Sequence, residues 1–190
     1  GVYLLTEKIK RDKNRVDIDK LNQKDTTETD ISGGYILRRD KTNNLDPTEY
    51  WKSPVKQVYF EPLTYQYFYP EYKDLTPSQR QYPKDWMKEF DEMMSSSSFK
   101  DKKVGYPNYI NIGSFIDMFV LNEFSKGIDS YMFSTYFYKE NDSDGGKLNA
   151  GPPWDYNLSL GNIDYGQNQR YPYDWVYDNW SRVYWFKRLM

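Results

Sequence analysis

The chain has neither histidine nor cysteine. Within this chain, that excludes Ser-His-Asp catalysis, a cysteine nucleophile and the usual His/Cys zinc sites. Acid–base work falls to Asp, Glu, Lys or Tyr. A metal, if one binds, is a hard cation held by oxygen: Mg²⁺, Mn²⁺ or Ca²⁺. The lack of thiols leaves the redox compartment open. No run of 18 apolar residues occurs, so no membrane span is expected. Net charge is only −2, which gives no global field to recruit nucleic acid or an anionic membrane. No signal-peptide pattern follows Gly1, and the chain opens directly in a strand-like run, which predicts a domain cut out of a longer protein.

Aromatic residues are abundant instead: 20 Tyr, 10 Phe and 6 Trp, together 19% of the chain. They suit either a core padded with Tyr or a stacking surface for sugars, peptides or bases. The 190 residues fit one domain, and a chain of that size buries roughly 70% of its unfolded surface.

The patterning divides near residue 75 into a β-rich part, 1–74, and a helix-rich part, 75–190. Strands are expected in the opening run to Ile9, at 35–39 behind Gly33 and Gly34, at 55–60, and in the aromatic stretch from residue 65, broken by Pro70. Short connections make them antiparallel. Lys8, Lys10, Arg11, Lys13 and Arg15 form a basic cluster, read as a solvated turn or as a phosphate-facing patch. Thr76, Pro77 and Gln79 form a helix start, which Pro83 is expected to kink or restart, with Trp86, Phe90, Met93 and Met94 on one face. A second helix is predicted over 114–126, capped by Ser114 and Asp117. Its apolar face comprises Phe115, Ile116, Phe119, Val120 and Phe124, and Gly127 is its stop. A third is predicted over 175–188.

The stretch 127–162 organises the rest. Asp129 follows the second helix, 131–138 reads as a strand, and the turn 141–146 leads into a return strand from Lys147. Asp155 stands behind Pro153 and Trp154. A hairpin would bring the two acids together although they lie 26 positions apart. The order helix, acid, hairpin, acid is also that of protein kinases, in which one Asp orients the substrate hydroxyl and a second holds Mg²⁺ on the nucleotide phosphates.

Three stretches carry a family resemblance: Gly127-Ile128-Asp129-Ser130-Tyr131; Gly151-Pro152-Pro153-Trp154-Asp155-Tyr156-Asn157-Leu158-Ser159-Leu160-Gly161-Asn162; and Gly1-Val2-Tyr3-Leu4-Leu5-Thr6-Glu7. With 114–121 and the closing Trp185-Phe186-Lys187-Arg188-Leu189, they resemble the CotH spore-coat kinase family over nearly the whole chain. The resemblance implies an α+β, atypical protein-kinase-like fold: an antiparallel β-rich part, then a helical part carrying the catalytic hairpin, the whole being one partial domain over 1–190. It implies ATP- and Mg- (or Mn-) dependent phosphorylation of protein Ser/Thr hydroxyls. Asp129 would be the catalytic base. Asp155, Asn157 and Ser134 would be metal ligands, Ser134 standing where the kinase pattern has Asn, and Glu7, Trp154 and Asn157 would lie on the cofactor side. The implied partners are cell-surface or coat proteins, and the implied setting is bacterial and secreted, at the cell surface or in the spore coat. A chain starting at Gly1 would begin inside the family's nucleotide-binding lobe.

Two other readings stay open. One is a non-catalytic carbohydrate- or protein-binding module using the Tyr/Trp surface. The other is a glycoside hydrolase, with Asp129 and Asp155 about 5–9 Å apart across an aromatic cleft.

Overall fold

A computed structural model describes residues 1, 3, 5–55, 63–165, 171–178 and 184–190. Five strands, β1 (Tyr35–Arg39), β2 (Tyr50–Lys52), β3 (Thr64–Tyr69), β4 (Thr135–Lys139) and β5 (Leu148–Ala150), form one sheet in the order β2-β3-β1-β4-β5. Every pairing is antiparallel. The fold class is therefore α+β, and the sheet spans both parts of the chain. β1 sits in the middle, pairing with β3 on one side and, from Tyr35↔Lys139 to Arg39↔Thr135, with β4 on the other.

Alternation along the strands gives the sheet two buried faces. Tyr35, Leu37, Tyr65, Tyr67 and Phe137 face the main core, against Met87, Phe90 and Met94 and against Trp185 and Phe186. Ile36 and Tyr136 face the other way and are covered by Ile9, Val16 and Ile18. The opening run is thus not the strand expected of it. Its described residues are irregular apart from a lone bridge between Arg11 and Val16, and Tyr3 and Leu5 are exposed. Charged residues interrupt its apolar positions, leaving too few in alternation to form a strand face. The basic cluster is largely solvated, with ion pairs from Lys10 to Asp12 (3.4 Å) and from Arg15 to Glu7. Strand β2 was not foreseen, and the strand expected at 55–60 lies outside the described residues except for Val55.

Helix α1 (Pro77–Ser95) starts as its capping box predicts: the Gln79 N–H donates to Thr76 Oγ1 (3.4 Å) and the Thr76 N–H to Gln79 Oε1 (3.1 Å). It runs through Pro83 without the expected restart. An interior proline costs about 3 kcal/mol, whereas each of the buried Met87, Phe90, Met93 and Met94 contributes roughly 1.5–3 kcal/mol. Asp91, fully buried on the same helix, accepts hydrogen bonds from Tyr65 Oη to both its oxygens (2.9 Å each) and from Trp185 Nε1 (2.9 Å).

Helix α2 (Ile112–Ser125) begins two residues earlier than predicted, with Asn111 as its N-cap. Ser114 makes no capping box. Its Oγ donates to Asn111 O (2.8 Å) and accepts from the Ala150 N–H (3.1 Å), which fixes the helix to β5. That attachment turns Phe115, Met118, Asn122 and Glu123 inward and leaves Ile116, Val120 and Phe124 exposed, against the apolar face expected. Of the helix predicted over 175–188, α3 (Tyr184–Leu189) is present. Residues 175–178 are not helical, and 179–183 lie outside the described residues.

The tip of the β4–β5 hairpin docks on the chain before β1. Lys139, buried, donates to Ser32 O (3.0 Å), Glu140 O (2.9 Å) and Asp142 Oδ1 (2.9 Å). Gly33 makes this possible, because a Cβ there would lie 2.1 Å from the Asn141 nitrogen and 2.3 Å from the Glu140 carbonyl carbon, both rigid backbone. Gly33→Ala is expected to destabilise the protein by roughly 2–3 kcal/mol. A thermal-unfolding midpoint lower by about 5–10 °C would register that loss, and an unchanged midpoint would contradict the tight docking.

Candidate functional site

Helix α2 ends with Lys126 in the left-handed conformation (φ 55°), its N–H donating to Asn122 O (3.0 Å). The left-handed residue is thus Lys126 and not the expected Gly127. At Gly127 a Cβ would come within 2.7 Å of Ser130 Oγ, the end of a side chain that can turn away. Beyond it, the Ile128 N–H donates to Leu158 O (3.0 Å) and the Leu160 N–H to Ser125 O (2.6 Å). These two bonds, with Tyr156 Oη donating to Asn122 Oδ1 (2.6 Å), lay the segment after β5 along the end of α2. That lateral zipper, together with the hairpin, brings the two distant acids to one place.

Residues 129–134 form a compact turn and not the start of the strand, which begins at Thr135. The carbonyl of Asp129 accepts from the N–H groups of Met132 and Phe133, both at 2.9 Å. Tyr131, Ser134 and Asp155 all take positive φ, at 65°, 49° and 64°. Left-handed conformations cost non-glycine residues on the order of 1 kcal/mol or more each, and they gather where function over-determines the backbone. Two of the three are bonded to each other, Ser134 Oγ donating to Asp155 Oδ2 at 3.2 Å.

Asp129, Ser134, Trp154 and Asp155 line one small cleft floored by Met118 and Asn122. Asp129 is half-buried and Asp155 exposed. The cavity volume is about 20 Å³, room for one water-sized species. Such a space does not enclose a sugar ring. Trp154 is half-buried, packed against the cluster around Ile36 and Tyr136. Asn157 lies on the 3-10 turn Tyr156–Leu158 with its side chain exposed, and its carbonyl accepts from Asn162 Nδ2 (2.7 Å); it is not among the lining residues. Glu7 is exposed, pairs with Arg15 and does not line the cleft. Four of the six residues singled out from sequence thus share the cleft.

No group of three or more Asp or Glu side chains able to hold a metal occurs among the described residues. Two carboxylates and a hydroxyl do fit Mg²⁺ or Mn²⁺, which take few protein oxygens and complete their shells with water and phosphate. Asn122, Tyr156 and Arg39 belong to the site's scaffold and were not anticipated. Arg39, on β1, donates from Nη1 to Tyr131 O (3.3 Å), and burial pushes its guanidinium down to about 10.

No curated protein and no solved structure matches the chain. The family model described as CotH kinase protein matches residues 1–190, the whole chain. With the acid, hairpin and acid of its signature stretches gathered on one cleft, the chain belongs to the CotH kinase family, a family of kinase-like proteins linked to the spore coat.

Proposed function

We propose that the protein transfers the γ-phosphate of ATP to Ser or Thr hydroxyls of a protein substrate in a Mg²⁺- or Mn²⁺-dependent reaction. The observation that carries this reading is the meeting of Asp129 and Asp155 on one cleft, with the Ser134 hydroxyl bonded to Asp155. When bound, the cation would neutralise charge on the phosphates. Asp155, on a backbone held left-handed by the zipper to α2, would be its carboxylate ligand, and Ser134 would orient that carboxylate or add an oxygen. Asp129, one side of its turn pinned by the Met132 and Phe133 amides, would hold the acceptor hydroxyl and take up its proton. Phosphoryl transfer of this kind is mostly positioning and charge neutralisation, and asks for neither His nor Cys.

Secreted or surface proteins, including coat proteins, are the substrates this reading favours. No helix among the described residues is long and apolar enough to cross a membrane. The test is calorimetric titration of the chain with ATP, with and without Mg²⁺, beside a radiolabel-transfer assay on a Ser/Thr protein mixture. Binding that needs the cation, together with transfer, is the expected result. Neither binding nor transfer would leave the second reading, a non-catalytic binding module. That reading draws on the exposed, stacked Tyr171 and Tyr173 (6.3 Å) and on the exposed Trp175 beside them in sequence.

A further inference from the structure

Glu123 is a buried carboxyl, 8% exposed, in the last turn of α2. It takes no part in the transfer described above, yet both of its oxygens are engaged. Oε2 accepts from the Val176 N–H (2.6 Å), and Oε1 accepts from the Tyr177 N–H (2.9 Å) and from Tyr131 Oη (2.8 Å). Tyr131 lies two residues after Asp129 and three before Ser134. Its ring is completely buried against Phe186 (4.6 Å), its carbonyl accepts from Arg39, and its own φ is 65°.

Tyr131 is therefore a buried anchor of the turn that presents Asp129 and Ser134, and its hydroxyl is held by Glu123 (2.8 Å) and, at longer range, by the Phe119 carbonyl (3.4 Å). We propose that Glu123 is a positioning residue for the acid-bearing turn. It acts through Tyr131 to set where Asp129 and Ser134 stand, and it ties that placement to the backbone at 176–177. The catalytic part of this inference rests on the proposed phosphotransfer. The chemistry at position 123 is specific: an amide there offers one acceptor oxygen to three donors and presents N–H groups to at least one of them. A turn held by fewer bonds gives up its left-handed residues first, because these are the conformations that relax when the restraint is lifted.

The test compares the full chain with Glu123→Gln, Tyr131→Phe and the double variant. Tyr131→Phe removes one hydroxyl and keeps the buried ring, so it carries the test even if Glu123→Gln folds poorly. Misplacement of a reacting group by a fraction of an ångström to 1 Å costs up to about 10²-fold in rate. Both single variants are expected to lower kcat by roughly 10- to 100-fold, with KM for Mg²⁺–ATP nearly unchanged. The double variant is expected to be no worse than the poorer single, because the two side chains act as one unit.

Hydrogen–deuterium exchange at the Met132 and Phe133 amides should quicken about tenfold in each variant, while that of the α1 amides stays constant. Unchanged exchange at 132 and 133, or exchange rising equally through α1 and the sheet, would overturn the positioning role. If the wild-type chain shows no phosphotransfer at all, the proposed function fails. The exchange data still decide whether Glu123 sets the turn.

Discussion

Asp129→Asn is expected to bind Mg²⁺–ATP within about twofold of wild type while its phosphotransfer falls by ~10²–10³, or roughly 3–4 kcal/mol of transition-state stabilisation. The amide keeps the size of the side chain, and the turn is held by the Asp129 main-chain carbonyl, which the substitution leaves alone. What goes is the negative charge and proton affinity facing the acceptor hydroxyl. Asp155→Ala should behave differently and lose cation-dependent nucleotide binding and transfer together. Its side chain is exposed and accepts from Ser134 Oγ at the surface, so folding should be little affected. Calorimetry and radiolabel transfer on the same preparations separate the two outcomes. Equal, modest losses in both variants, or full activity in Asp155→Ala, would remove the kinase reading.

Asp91→Ala should be among the most destabilising single substitutions, costing about 3–5 kcal/mol and lowering the unfolding midpoint by roughly 10–15 °C. It would remove the carboxylate that accepts from Tyr65 Oη and Trp185 Nε1–H in the core, and losing the acceptor of a buried donor costs roughly 1–3 kcal/mol. Asp91 also gives stability a pH dependence. Burial raises its carboxyl from an ordinary 3.8 to about 6, a rise that hydrogen bonds from Ser53, Tyr65 and Trp185 and the charge of Arg39 only partly oppose. The folded protein thus holds this proton more tightly than the unfolded chain does. Its contribution is complete below about pH 4 and is lost as pH rises through about 6, by roughly 3 kcal/mol in total. Denaturant midpoints measured from pH 4 to 7 should therefore fall with rising pH in wild type, and this component should vanish in Asp91→Asn. A wild-type profile with the same slope as Asp91→Asn would show that Asp91 is not the titrating group.

What the sequence makes legible is what short-range chemistry decides. The Thr76–Gln79 capping box, the glycine-rich turn after Asn141 and the antiparallel hairpin it closes all depend on neighbours within a few positions, and all are present. The hairpin's share in bringing Asp129 and Asp155 together was readable for the same reason, whereas the bonds that tie Leu158 and Leu160 to the end of α2 were not. The misreadings share a cause too. Asn111 and Lys126 bound α2, although Ser114 and Gly127 have the better local credentials, because Ser114 is drawn away to Ala150 and Gly127 already belongs to the next turn, its carbonyl accepting from the Ser130 N–H. Ile116, Val120 and Phe124 form an apolar stripe by spacing, but the inward face of α2 is set by Asn122 and Glu123, whose partners Tyr156, Val176 and Tyr177 lie far along the chain. A buried acid whose donors are mostly backbone amides leaves no signature in sequence. The pairing of β1 with β4 is likewise invisible, since any strand of suitable pattern would have served equally well.

The central place of β1 has a consequence for how the chain is made. Lys139 and Ser32 are bonded across 107 positions, and β1 gains its second neighbour only when residues 135–139 have left the ribosome. Until then a nascent chain carries β1 as an open edge, with Tyr35 and Leu37 lacking the Phe137 and Trp185 that later cover them. Closing so long a loop is slow, and unpaired strand edges are where growing chains stick to one another. The sheet should therefore close only after β4 has been made. The acid-bearing turn, which lies between α2 and the strand that closes the sheet, can take its shape only in the same step.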